Sequence, residues 1–229
     1  PDSHYRVVIV AGTNGKGTCA ALTSHLLCRA GFRVGLYTSP HLVDFTERFR
    51  VDGSPVEQHL VHQIGSRVIA EHPGLTFFEA TTLIALEIFA HESVDIAVLE
   101  VGLGGRLDAV NAVEPDIVGI TRVAMDHQQY LGDTLSEVAA EKAAVMRRGR
   151  PVVWSSQLPP VASVFKRTCI ATQAQLIPKN NAPIAPSWLG GLFAENVAVA
   201  RTVASYMGAG DLSVAGFRWP ARRDRYLDG

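Results

Sequence analysis

At 229 residues the chain can form one large domain or two small ones. Hydrophobic residues make up 47% and charged residues 19%, which supplies a large core and excludes a disordered chain. A net charge of -1 lacks the basic excess of a nucleic-acid binder, and no apolar run is as long as a bilayer span, so neither partner is expected.

The three cysteines, Cys19, Cys28 and Cys169, are odd in number and contain no CxxC pair, which argues against a disulfide framework or a structural zinc site. No charged-then-apolar leader opens the sequence, and a reducing cytoplasm is the simplest expected setting.

Strand and helix patterns alternate. Arg6–Val10 reads as a strand, Lys16–Arg29 as a helix stopped by Gly31, and Arg33–Tyr37 as a second strand. Arg48–Val51, Asp52-Gly53 and Ser54–Val56 predict a hairpin. Helices follow at Gln58–Glu71 and Glu79–His91, then strands at Asp95–Glu100 and Asp116–Thr121, a helix at Thr134–Met146 and a strand at Pro151–Trp154. The stretch at about 176–190 is rich in Pro, Asn and Ala and reads as a linker, before a last helix at Glu195–Tyr206. The order predicts an α/β fold, a mostly parallel sheet flanked by helices.

The most informative stretch is Val8-Ile9-Val10-Ala11-Gly12-Thr13-Asn14-Gly15-Lys16-Gly17-Thr18. A strand runs into a Gly-rich turn, then Lys, a hydroxyl residue and a helix. Glycines let backbone N–H groups approach phosphate oxygens, and the helix N-terminus adds partial positive charge. Lys16 can bridge terminal phosphates and Thr18 can face a metal. The spacing differs from G-x-x-x-x-G-K-[ST], since only two residues separate Gly12 from Gly15 and Gly17 stands between Lys16 and Thr18. A tight turn with a surface lysine is the alternative.

Gly-Thr-Asn-Gly-Lys-Gly-Thr resembles the phosphate loop of the Mur ligase superfamily. Three further segments narrow the resemblance to folylpolyglutamate and dihydrofolate synthases: Thr38-Ser39-Pro40-His41-Leu42, the run Leu99 to Ala109 (LEVGLGGRLDA), and Asp126-His127 through Tyr130–Thr134 to Glu141-Lys142-Ala143. The resemblance covers about Val7 to Val153. It implies a P-loop NTPase-like Mur ligase central domain over residues 1–223, with 224–229 either opening a glutamate-ligase domain or simply ending the stretch.

By the same resemblance, Gly12, Thr13, Asn14, Gly15, Lys16, Gly17 and Thr18 would bind ATP. Thr18, Ser39, Glu100 and His127 would hold two Mg2+ ions, beside which a monovalent cation would fit. Glu100 ends a buried-type strand, where a carboxylate can hold magnesium or serve as a structural acid. Lys142 would by default be a solvated helix charge; the resemblance implies a carbamylated lysine. Lys16, His127 and Lys142 would be catalytic. Phe77, Phe78, Glu79 and Ala80 resemble a pterin-side segment, with Leu107, Asp108 and Ala109 on the same side. Aromatic rings can stack on a pterin, although either Phe can instead be core. Arg106 reads as a structural or phosphate-facing cation. Asn196 would contact adenine, Arg222 (with Arg223 as competitor) the phosphates, and Asp228 the ribose.

The implied activity is ATP-dependent addition of L-glutamate to dihydropteroate or a reduced, (poly)glutamylated folate by a monomeric enzyme. Another Mur-type amide ligase, or a nucleotide-binding regulatory module, are the alternatives.

Overall fold

The computed structural model describes residues 5–180, 190–210, 212–214 and 216–217, without side chains for 190–192. In chain order the elements are β1 (Arg6–Ala11), α1 (Lys16–Arg29), β2 (Val34–Tyr37), a 3-10 turn (Phe45–Arg48), β3 (Phe49–Val51), β4 (Ser54–Pro55), α2 (Gln58–Glu71), α3 (Phe77–His91) and β5 (Ile96–Glu100). A second 3-10 turn (Ala109–Ala112) precedes β6 (Ile117–Ile120), α4 (Gln128–Leu131), α5 (Leu135–Ala143), β7 (Pro151–Trp154), α6 (Pro159–Thr172), β8 (Gln175–Leu176) and α7 (Gly190–Tyr206).

The strands form one sheet ordered β4-β3-β2-β5-β1-β6-β7-β8. Neighbours from β2 to β8 run parallel, and β3 and β4 pair antiparallel at one edge as the predicted hairpin. The alternation of side chains along β1 sorts the core into two layers. Val7, Ile9 and Ala11 pack with apolar residues of α2, α3, α5 and α6, while Val8 and Val10 pack with α1 and α7. Both faces are therefore covered, as a parallel sheet requires.

Three predicted elements, α1, α2 and β7, have the observed bounds. Helix α5 ends at Ala143 rather than Met146, because Ala144 caps it before the turn that returns to β7. Helix α7 begins at Gly190 rather than Glu195. Helix α6 and strand β8 were not expected from the sequence. The first opens on Pro159-Pro160, where missing N–H groups cost nothing, and buries Val161, Val164 and Phe165 at helical spacing.

Candidate active site

The parallel strands end together, and the loop after central β1 lies between the ends of β5 and β6. In such sheets this edge is the ligand crevice. The loop Gly12–Gly15 delivers Lys16 as the first residue of α1, and Gly15 caps that helix with φ +85°, a conformation glycine adopts without strain. A Cβ on Gly15 would overlap the side-chain amide of buried Asn196, so α7 closes directly over the loop.

Two further contacts fix the loop from β6. Thr13 and Asn14 N–H groups both donate to the Arg122 carbonyl, at 3.0 and 3.2 Å. The Thr13 hydroxyl donates to the Ala124 carbonyl at 3.1 Å and accepts from its N–H at 3.2 Å. Segment 121–124 is itself held by Gln157, whose amide nitrogen donates to the Thr121 carbonyl at 2.9 Å and whose oxygen accepts from Val123 N–H at 3.0 Å.

Glu100 ends β5 in register with Val10, and is buried at 2% exposure. Its Oε2 accepts from the Ser39 backbone N–H at 3.0 Å, tying the Ser39-Pro40-His41 segment to the central strands. Thr18 is buried in the first turn of α1. A carboxylate and hydroxyls are the hard oxygen donors magnesium takes, and this donor set fits that ion. Among the described residues no group of three His, Cys, Asp or Glu could cage a metal. His127 adopts φ +45° at the start of α4, with a half-exposed side chain whose Nε2 lies 3.6 Å from Asp126 Oδ1.

Gly105, in the Gly-rich run after β5, owes its place to α5. A Cβ on Gly105 would stand 2.6 Å from the Glu141 carbonyl oxygen and 3.2 Å from Lys142 Cα. The close approach lets Arg106 N–H donate to the Glu141 carbonyl at 3.0 Å, and Arg106 Nε to its carboxylate at 2.8 Å. It also buries Lys142 to 2% exposure, which makes no ion pair among the described residues. Burial, then the nearby Lys16 charge, lowers the Lys142 pKa to about 8, against opposing pulls from Asp126, Asp108 and Glu141.

Asp108 is buried too, and burial raises its pKa although it accepts from Leu103 N–H at 2.9 Å and Val110 N–H at 3.0 Å. It starts the 3-10 turn containing Ala109, while Leu107 stays exposed. Phe78 packs on the core against Tyr37 and the backbone of Gly102. Phe77 is 63% exposed. Glu79 accepts from Thr76 N–H and hydroxyl, an exposed capping box that holds its carboxyl below the usual range. Ala80 lines a recess between α2 and α3.

The family model of the Mur ligase middle domain matches residues 10–153. The chain belongs to the Mur ligase family. It is 40% identical over 179 residues to a folylpolyglutamate synthase of Arabidopsis thaliana, a match covering 74% of this chain and 31% of that protein. The matched part thus spans about a third of that relative's length. The apo form of L. casei FPGS superposes with a TM-score of 0.87 at 29% identity, covering 100% of this chain and 66% of that one. A Yersinia pestis bifunctional folylpolyglutamate synthase/dihydrofolate synthase, solved with AMPPNP and a Mn ion, gives a TM-score of 0.76 at 33% identity, covering 92% and 55%.

In this Mur ligase chain Arg222, Arg223 and Asp228 lie outside the described residues. Sequence reading passed over Gln157, Thr121 and Arg48, whose roles depend on contacts between distant segments. No described helix is long and apolar enough to cross a membrane.

Proposed function

We propose that this chain is the ATP-binding part of an ATP-dependent acid–amino-acid ligase. It would join L-glutamate to dihydropteroate or to a reduced, (poly)glutamylated folate, acting as a monomer in the cytoplasm. What supports this reading most is the glycine-rich loop that delivers Lys16 at a glycine-capped helix N-terminus, after a strand paired in register with the one that ends at the buried Glu100 carboxylate. A lysine at a helix N-terminus near a buried carboxylate that can hold magnesium suits the transfer of a highly charged phosphoryl group.

The acceptor carboxylate attacks the γ-phosphorus of ATP, forming an acyl phosphate and releasing ADP. The amine of L-glutamate then attacks the acyl carbon, the amide forms and phosphate leaves. Gly12, Gly15 and Gly17 would offer backbone N–H groups to the phosphates, Thr13 and Asn14, whose N–H groups go to the Arg122 carbonyl, would hold the loop around them, and the Lys16 ammonium would neutralise charge on the group in transfer. Asn196, Arg222 and Asp228 would contact the rest of the nucleotide. Two magnesium ions and a monovalent cation, when bound, supply charge neutralisation, with Thr18, Ser39, Glu100 and His127 as the donors. Phe77, Phe78, Glu79, Ala80, Leu107, Asp108 and Ala109 form the acceptor side.

With a pKa of about 8, Lys142 is partly a neutral amine near neutral pH. Its lone pair can then attack carbon dioxide; an N–C bond forms and a proton is lost, giving a carbamate that offers an anionic oxygen. A bare amine at saturating bicarbonate, seen in a high-resolution crystallographic map, would argue against this modification.

The reading is tested by phosphate release from ATP with the full-length protein, magnesium and L-glutamate, adding each acceptor separately. Release that depends on an acceptor is the expected result. Release that ignores both acceptors would point to another substrate or to a nucleotide module.

A further inference from the structure

Arg48 closes the 3-10 turn that leads from the Ser39-Pro40-His41 segment into β3, and only 7% of it is exposed. A guanidinium cannot shed its proton, so burying one is costly unless an anion answers it. Arg48 forms no ion pair among the described residues. The neighbouring carboxylate is committed elsewhere, since Glu47 accepts from the N–H groups of Leu42, Val43 and Asp44.

What holds Arg48 is its Nε, which donates to His41 Nδ1 at 2.9 Å, and the rings of Phe45 and Phe77 at 5.8 and 5.5 Å from its Cζ. These contacts orient the guanidinium and leave its two terminal nitrogens without a hydrogen bond among the described residues. Those nitrogens are the fork that takes a carboxylate in a bidentate grip. Phe77 and Phe45 also line a recess of about 480 Å3 between α2 and α3, with Val61, Ile69, Ala80 and Ile84. The other end of the segment belongs to the active site, because Ser39 N–H is bonded to Glu100.

The geometry points to Arg48 as a specificity-determining residue that binds a non-reacting carboxylate of the acceptor, with the acceptor's aromatic part against Phe77. This inference rests on the ligase reading above. The reacting carboxylate must meet the phosphate beside Lys16, and the charges acting on Lys142 there are those of Lys16, Asp126, Asp108 and Glu141. Arg48 stands apart from that group, on the β2–β3 side. A folate already carrying glutamate has a second carboxylate to offer Arg48. Dihydropteroate has only the one that reacts. Arg48 would therefore favour the glutamylated acceptor.

The test compares full-length wild type with Arg48→Gln and Arg48→Lys. Kinetics are measured with a reduced folate monoglutamate and with dihydropteroate. Calorimetry follows p-aminobenzoyl-L-glutamate and p-aminobenzoate, each with an ATP analogue present. Losing a bidentate charge-assisted grip should raise the folate KM about 10- to 100-fold, with kcat and the KM for ATP nearly unchanged. The KM for dihydropteroate should hold, and Arg48→Lys should fall between, because it keeps the charge without the fork. Equal losses on both acceptors, or a fall in kcat at constant KM, would overturn the assignment.

Thermal melts and ATP-analogue affinity report folding. If Arg48→Gln does not fold, an unchanged folate KM in Arg48→Lys would sink the proposal. If the wild type uses neither acceptor, the ligase reading fails and calorimetry decides this assignment alone. Binding of p-aminobenzoyl-L-glutamate that weakens about tenfold in the variants, with p-aminobenzoate unaffected, supports it. No binding, or equal binding by all three proteins, refutes it.

Discussion

The side-chain amide of Asn196 fills the space a Cβ on Gly15 would need. Helix α7 and the phosphate loop are therefore mutually fitted, though 181 residues apart in sequence. Gly15→Ala meets two obstacles, the overlap and a positive φ, which together should cost about 1–3 kcal/mol of stability. Affinity for an ATP analogue should fall more than about tenfold, because the loop and Asn196 must part. Calorimetric titration alongside thermal melting checks both. Unchanged nucleotide affinity would show that the loop tolerates displacement.

Lys142 ties stability to pH. Its folded pKa, about 8, lies below the 10.5 of a free lysine. The unfolded chain therefore binds more protons between those values, and the wild type gains stability as pH rises from about 8 to 10.5. Below the folded pKa the full penalty applies. Lys142→Met lacks this dependence, so its stability relative to wild type should be greatest near neutral pH and shrink above pH 8. Urea melts of both proteins on either side of that window measure the difference. Parallel stability curves would mean that the amine is not penalised by burial.

Gly105→Ala should move Lys142 without touching ATP. The added Cβ would meet the Glu141 carbonyl oxygen at 2.6 Å, Val145 Cγ1 at 3.1 Å and Lys142 Cα at 3.2 Å, and the two backbone atoms cannot rotate away. Overpacking of this kind costs about 1–3 kcal/mol. A displaced helix misplaces Lys142, which can lower kcat about 100-fold, while ATP-analogue affinity stays within about threefold. Steady-state kinetics and calorimetry separate the two effects; equal loss of both would contradict the assignment.

Gln157→Leu should destabilise by about 1–3 kcal/mol, because it leaves Val123 N–H and the Thr121 carbonyl without their partner. Through segment 121–124 the change should also loosen the Thr13 contacts and weaken nucleotide binding. Chemical denaturation and ATP-analogue titration of the same variant check this. A leucine that leaves both unchanged would remove Gln157 as a strut.

Local patterns made much of this legible. The helix from Lys16 to Arg29 has a glycine before it and Gly31 just beyond, so its bounds follow from its own residues. The strand ending at Glu100 is all apolar until the carboxylate, which marks both its burial and its functional end. Helix α6 was missed because Pro159-Pro160 reads as a break before it reads as a helix start. The site was legible where chemistry is local, as in Gly12–Thr18. It was not legible where meaning comes from contact: Lys142 is buried because Gly105 admits α5, and Arg48 matters through His41, Phe45 and Phe77. Gly105 and Lys142 lie 37 residues apart, and a contact over that distance leaves no period in a sequence.

The most direct test of the ligase account is product identity. Full-length protein is incubated with ATP, magnesium, isotope-labelled L-glutamate and each acceptor in turn, and the products are read by mass spectrometry. The account predicts an acceptor extended by one labelled glutamyl unit, formed with one ADP and one phosphate per amide, and abolished in Lys16→Ala. ATP consumed without any labelled amide on either acceptor would contradict it.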